Sequence, residues 1–242
     1  MKTMSLFILA VAAFMLPVVA RADALDDAHR AFAGGQYQAA AQGYQAVLAQ
    51  NGYSAPVLFD LGNSYYREGD FAQAILAYER AQLLAPNDAD LAANLAQARK
   101  LAGIPAPDPR WSDPITRLCS TSGWAWVGCG AWTVLCLGLL ARRIWPLRRT
   151  LFFLSGAASA LVLIAAIGAE VLLSGQLRQA VVVDKHASVL ISPFPAAQAV
   201  FSPTPGDVVS VQKKYHDFRF VTDSSGRSGW IAKTQITPIV PE

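Results

Sequence analysis

The pattern of hydrophobic and polar positions divides the chain into blocks of different period. An apolar run over residues 6–20 follows Lys2 and ends at Ala20-Arg21-Ala22. This is the positive start, apolar core and small-x-small order of a secretory signal, and the core is short for a span, which needs roughly 20 residues. Residues 1–22 are therefore expected to be a signal peptide, with an uncleaved anchor as the alternative. Residues 23–102 carry helical, repetitive patterning. Residues 103–117 hold Pro105, Pro107, Pro109 and Pro114, a density that predicts a stiff extended linker. Residues 118–141 and 151–169 then contain no charged side chain, and each run is long enough to cross a bilayer as a helix. Two transmembrane helices are expected, over 118–141 and 151–173. After residue 179 the pattern shifts to short β-rich runs such as Ala180-Val181-Val182-Val183, Phe218-Arg219-Phe220-Val221-Thr222 and Gly229-Trp230-Ile231-Ala232. Pro193, Pro195, Pro203 and Pro205-Gly206 punctuate them. Five or six short strands in a region of this size predict a small all-β barrel over 179–242.

The helical block repeats. Leu61-Gly62, Tyr65, Gly69, Ala74, Tyr78, Ala81 and Pro86 resemble the signature of the tetratricopeptide repeat (TPR). Gly62 and Ala74 are the small residues that let paired helices approach, with Tyr65, Phe71 and Tyr78 filling the space beside them. A step of 34 residues back places Gly35 under Gly69, Tyr37 under Phe71, Ala40 under Ala74 and Tyr44 under Tyr78. The same step forward places Ala92, Leu95 and Ala96 in a last helix that stops at Leu101-Ala102-Gly103. The expectation is an all-α TPR solenoid of two repeats and a capping helix, with Asn87-Asp88 capping that helix.

Charge fixes the expected topology. The chain has 20 basic and 17 acidic residues, a net of +3, too weak and too scattered for a nucleic-acid surface. Four bases, Arg142, Arg143, Arg148 and Arg149, fall with no acid in the loop 142–150 between the apolar runs. By the positive-inside rule that loop is cytoplasmic, which leaves both flanking domains outside, in agreement with an export signal. Glu170 reads as interfacial. Gly156 and Ala160 form a small-x-x-x-small face for the first span or for a partner. A chain that is 53% apolar and 15% charged is not globally disordered.

Catalytic chemistry finds no footing. His29, His186 and His216 stand in unlike contexts, no two at metal-ligand spacing, and Cys119, Cys129 and Cys136 form no C-x-x-C pair. No catalytic, cofactor or metal site is expected, and the protein is not expected to be an enzyme. The first helices of TPR units line a concave face. On that basis Phe59, Asn63, Tyr66, Arg67, Asn94 and Gln97 are expected to form a partner-binding groove, against the simpler reading that Phe59 and Tyr66 pack between repeats. Positions where a basic carboxylate clamp would need Lys or Arg hold Leu25, His29 and Asp90 instead.

The tail Gly226-Arg227-Ser228-Gly229-Trp230-Ile231 resembles the closing hairpin of bacterial SH3-type domains, with Gly229 and Trp230 as its signature. Ile191 and Phe218 occupy places where such domains often carry Arg and Trp. The order of signal, TPR, two spans and SH3-type barrel resembles the TPR protein of bacterial aerotolerance (Bat) operons, the BatE type. The residues carrying this are Leu58-Phe59-Asp60-Leu61-Gly62-Asn63-Ser64-Tyr65-Tyr66, Ala74-Ile75-Leu76-Ala77-Tyr78-Glu79-Arg80-Ala81, Pro86-Asn87-Asp88-Ala89-Asp90 and Asn94-Leu95. The resemblance implies an inner-membrane scaffold with two extracytoplasmic domains in the periplasm. Its partners would be von Willebrand A-domain Bat proteins and a MoxR-type ATPase, in tolerance of envelope or oxidative stress. The alternative is a peptidoglycan-binding or wall-sensing module acting through the barrel.

Overall fold

A computed structural model describes residues 24–105, 121–144, 149–174 and 178–241. The expected signal peptide, most of the proline-rich linker, Cys119 and the centre of the arginine loop lie outside the described residues.

Five helices form the N-terminal layer: α1 (residues 24–33), α2 (Tyr37–Asn51), α3 (Ala55–Glu68), α4 (Phe71–Leu84) and α5 (Ala89–Leu101). Local chemistry sets their ends. Pro56 sits in the first turn of α3, where its missing N–H costs nothing. Gly69 closes that helix at φ 86°, donating its N–H to the Tyr66 carbonyl while Asp70 donates to that of Tyr65. Asp70 then caps α4 by accepting from Gln73 N–H, and Asp88 caps α5 by accepting from the N–H groups of Asp90 and Leu91.

The packing between α3 and α4 is set by one glycine. A Cβ on Gly62 would lie 2.4 Å from Tyr78 Cε1, so the ring of Tyr78 occupies the space a side chain would need. The group pressed against Gly62 is thus Tyr78, a residue expected only to fill the flank. In the first repeat the glycine changes helix: a Cβ on Gly43 of α2 would meet Ala28 Cβ of α1 at 2.8 Å. Leu58, Ile75, Tyr78, Leu91 and Ala98 are fully buried around these contacts.

The C-terminal region is one antiparallel sheet of seven strands: β1 (Gln179–Val182), β2 (Val189–Leu190), β3 (Ala199–Phe201), β4 (Val208–Tyr215), β5 (Phe218–Thr222), β6 (Ser228–Ala232) and β7 (Ile236–Pro238). Their order is β3-β2-β6-β5-β4-β1-β7. Flat, seven strands would spread over about 29 Å. Yet Val189 of β2, Val209 of β4, Val182 of β1 and Ile236 of β7 share one buried cluster, which requires the sheet to curl on itself. Gly229 permits the close approach of β2, since a Cβ there would lie 2.8 Å from the Leu190 carbonyl oxygen. The short β3 and β7 were not anticipated. Trp230 does not enter the core. It lies on the opposite face of β6 from buried Ile231 and packs edge-on against Phe220 at 5.3 Å between ring centres.

Sheet and solenoid are joined. Val181 and Ile239 belong to the same buried cluster as Ile75 and Tyr78. Arg80 of α4 donates from Nε to the Ile239 carbonyl at 2.9 Å and from Nη2 to the Pro238 carbonyl at 2.8 Å. A Cβ on Gly206 would meet Ile75 and Ile104 side chains at 2.8 Å each, so the turn before β4 rests directly on the solenoid. The sequence pattern had suggested two separate parts.

Between them in the chain run α6 (Thr121–Ile144) and α7 (Arg149–Ser174), packed side by side. The segment Gly123–Leu140 of α6 is long and apolar enough to cross a membrane, and Ala131 alone of it is buried in the protein. In α7 the described apolar stretch is Leu154–Gly168, which is shorter. A Cβ on Gly156 would lie 3.7 Å from Leu135 of α6, so the small-residue face expected for a span or a partner turns toward α6. Trp126, Leu140, Leu161 and Ile164 point outward and are exposed.

Candidate functional site: the solenoid groove

The concave side of α1, α3 and α5 encloses a cavity of about 230 Å³ lined by Phe32, Asn63, Tyr66, Arg67, Tyr78, Asn94 and Gln97. Five of the six residues expected in the groove, Asn63, Tyr66, Arg67, Asn94 and Gln97, are brought together there. The sixth, Phe59, is not. It packs against the core, its ring 6.0 Å from that of Tyr78, because its place on α3 turns it toward α4. Phe32 and Tyr78 complete the walls and were missed. Phe32 lies 34 residues before Tyr66, so the repeat step applied to the groove residues would have found it. Tyr78 had been assigned to interhelical packing, which it does perform, and its edge also reaches the cavity.

The polar floor has a defined orientation. Tyr78 Oη donates to Asn63 Oδ1 at 2.7 Å, and Asn94 Nδ2 donates to the same oxygen at 3.1 Å. Burial, with the nearby Tyr66 hydroxyl as the lesser cause, pushes the Tyr78 phenol well above its ordinary value of 10.0. It therefore stays a protonated donor at physiological pH. With Asn63 Oδ1 taken twice, the Asn63 Nδ2 donors and the Asn94 Oδ1 acceptor have no hydrogen-bond partner among the described residues. A donor and an acceptor side by side match the N–H and C=O of an extended peptide.

The rim is held as firmly. Arg67 donates to Tyr37 Oη, and its guanidinium lies 4.8 Å from the centre of the Tyr37 ring. Phe32 packs edge-on against the same ring at 5.4 Å. Asn63, Tyr66 and Asn94 are half-buried and Arg67 and Gln97 exposed, so the site offers an aromatic wall, an amide pair and one fixed cation. His29, at one of the positions where a carboxylate clamp would need a base, lies 3.2 Å from Asp60 Oδ2. Among the described residues no group of three or more His, Cys, Asp or Glu side chains is placed to hold a metal ion.

The other signature pair lies on the sheet. Gly229 is buried under Val189, and Trp230 joins Phe220 and Tyr215 in an aromatic row on the outer face. Ile191 is exposed nearby in sequence to β2, and Phe218 is half-buried at the start of β5.

No curated protein matches the chain. The tetratricopeptide repeat family model matches residues 55–88. Those residues contain α3 and α4, the two helices that supply Asn63, Tyr66, Arg67 and Tyr78. Repeats of this kind serve protein–protein interaction and are typically found in adaptors without catalytic activity; Asn63, Tyr66, Arg67 and Tyr78 of the groove lie within the matched repeat, and Phe32, Asn94 and Gln97 lie outside it.

Proposed function

We propose that the protein is a membrane-anchored scaffold without enzymatic activity, which holds an extended segment of a partner protein in the solenoid groove. The observation that carries this reading is the free donor and acceptor of Asn63 and Asn94 beneath the rings of Phe32, Tyr66 and Tyr78. Side-chain amides grip the peptide backbone, the rings accept an apolar side chain, and Arg67 favours a carboxylate at the rim. Aromatic and Arg side chains are the types enriched at binding hot spots. In this reading α6 and α7 both cross a bacterial inner membrane, the four arginines between them stay in the cytoplasm, and solenoid and SH3-like sheet face the periplasm. The order of parts makes von Willebrand A-domain Bat proteins and a MoxR-type ATPase complex the first partners to test, in aerotolerance or envelope stress.

Two experiments test it. Alkaline phosphatase fused after Glu242 is expected to be active, whereas a fusion at Trp145 is expected to be inactive, and the reverse pattern overturns the orientation. An Asn63→Ala, Tyr66→Ala, Arg67→Ala variant is expected to insert and fold but to lose the co-purifying partner. Retention by that variant together with release by Trp230→Ala moves the binding site to the sheet. The second reading, a peptidoglycan or wall-sensing module, draws on the row of half-buried Trp230 and Phe220 with exposed Tyr215, because aromatic faces stack on sugar rings. Sedimentation with isolated sacculi, abolished by Trp230→Ala, is its expected signature.

A further inference from the structure

Side chains alternate along β5: Phe218, Phe220 and Thr222 are half-buried, while Arg219 and Val221 are buried. Arg219 thus occupies an inward position that the period of a strand reserves for an apolar residue, and only 8% of it is exposed. Burying a guanidinium is costly unless an anion or several acceptors meet it. Its Nη1 donates to the carbonyls of His216 at 2.9 Å and Phe218 at 3.0 Å. For Nε and Nη2 the described residues supply no acceptor, and no carboxylate among them pairs with it; no buried side-chain nitrogen among the described residues lacks a hydrogen-bond partner, so these two groups reach the solvent of the adjoining cavity.

Arg219 opens into a cavity of about 470 Å³ at the end of the sheet, where Arg178, Lys214 and Lys233 also stand on the wall. Arg178, Arg219 and Lys233 bring three guanidinium or ammonium groups to the described lining beside Lys214, and its remaining surface is largely apolar, with Ile236 and Val240 among it. Arg178 lies four residues after Ser174, the last residue of α7. Four residues of chain reach no further than about 14 Å, so one wall of the cavity is tethered close to the end of the apolar helix.

We propose that this cavity binds the phosphate of an anionic phospholipid headgroup, with Arg219 at its base, Arg178 and Lys233 at its mouth, and the apolar wall against the glycerol and upper acyl chain. Bound there, the lipid would fix the curled sheet against the membrane surface. This rests on the reading of α7 as a membrane helix, though the phosphate chemistry of the cavity does not.

The test uses the full chain in neutral maltoside micelles and measures binding of dihexanoyl phosphatidylglycerol. Saturable binding is expected, at least about tenfold tighter than that of dihexanoyl phosphatidylcholine. Arg178→Gln with Lys233→Gln, both exposed positions, is expected to weaken it about tenfold or more. Lys185→Gln with Lys213→Gln removes the same charge outside the cavity and is expected to leave affinity unchanged. Equal loss in both double variants, or none in the first, overturns the site. Glycerol 3-phosphate binding as tightly as the lipid overturns the lipid source in favour of a soluble phosphate. Arg219→Gln, where circular dichroism shows it folded, is expected to match the first double variant. Micelle binding is independent of orientation, so a failed membrane reading, seen as release of the protein by alkaline carbonate, is distinguishable from a failed site.

Discussion

Replacing Arg80 by Met tests whether solenoid and sheet behave as one unit. Met keeps an unbranched stem of similar length and removes only the guanidinium. That group donates at 2.9 Å and 2.8 Å to two carbonyls at the end of the sheet and sits 5.5 Å from the ring of Tyr53. Burial lowers the Arg80 pKa from its ordinary value, yet a guanidinium stays charged at any physiological pH, so both bonds are charge-assisted. Each such bond contributes about 1.5–3 kcal/mol when its partner is shielded. Arg80 is half-buried rather than sealed, so water replaces part of the loss, and about 2 kcal/mol for the pair is the reasonable figure.

The loss should be local. Hydrogen exchange of the full chain, read by mass spectrometry, is expected to accelerate about 30-fold in peptides covering β7 and β1, which corresponds to that energy. Peptides from α3 should exchange as in the parent, because both lost hydrogen bonds join α4 to the end of the sheet and neither involves α3. Ile75 and Ile239 still supply apolar contact, so the two parts should loosen rather than separate. Unchanged exchange in β7 would refute the argument that these two hydrogen bonds hold the contact. Acceleration spread equally over α3 and α4 would refute its local character and make Arg80 a core residue of the solenoid.

Other outcomes follow from the same geometry. Gly62→Ala forces a methyl to within 2.4 Å of Tyr78 Cε1 and is expected to cost about 1–3 kcal/mol, visible as a lower thermal midpoint; Ala74→Leu, at a fully buried site, should behave alike. Tyr78→Phe removes one donor from Asn63 Oδ1 and should cost about 1 kcal/mol while weakening partner binding, because the Asn63 amide is then oriented by Asn94 alone; calorimetry and a binding titration measure the two effects. Acid should affect the sheet in two opposed stages. Asp207 has a raised pKa, mainly from burial, so its protonation favours the folded state as pH falls toward the ordinary carboxylate value. Burial acts to raise Asp223 too, but hydrogen bonds from Arg227 and Ser225 outweigh it and lower the pKa, so its contribution is present above the unfolded value and lost as pH falls through the folded one. Asp207→Asn should therefore abolish the first stage and leave the second, in a pH series of thermal midpoints.

The repeat was legible because its information is local. Small residues where helices meet, a left-handed glycine at the end of α3 and aspartates at two helix starts each act within a few positions, so Gly62, Gly69, Asp70 and Asp88 can be read one at a time. The groove was legible through the same periodicity, which brought Asn63, Tyr66, Arg67, Asn94 and Gln97 to one side. Phe59 went astray because a residue four before Asn63 shares its face only approximately at 3.6 residues per turn, and the drift turned it toward α4. Two strands escaped for a different reason. The strands β3 and β7 are three residues each, and Pro238 ends β7 where an edge strand can tolerate a proline; so short a segment has no period to detect.

The contact between sheet and solenoid has no local trace at all. Arg80 and Ile239 are separated by 159 positions, and an arginine on an otherwise alanine- and leucine-rich helix face reads as a solvated charge until its acceptors are known. Arg219 is the same case with the sign reversed. In sequence, Phe218-Arg219-Phe220 is an ordinary alternation of apolar and charged positions, with the arginine expected outside. The ladder with β6, in which Arg219 pairs with buried Ile231, places it inside instead. The rule that places charge at the surface would therefore misplace both arginines. Arg80 is half-buried and has found two backbone carbonyls of its own chain, whereas Arg219 is buried and its Nε and Nη2 have no acceptor among the described residues. The Arg219 donors without a protein acceptor reach the solvent of the cavity at the end of the sheet, which is where the proposed phosphate would meet them.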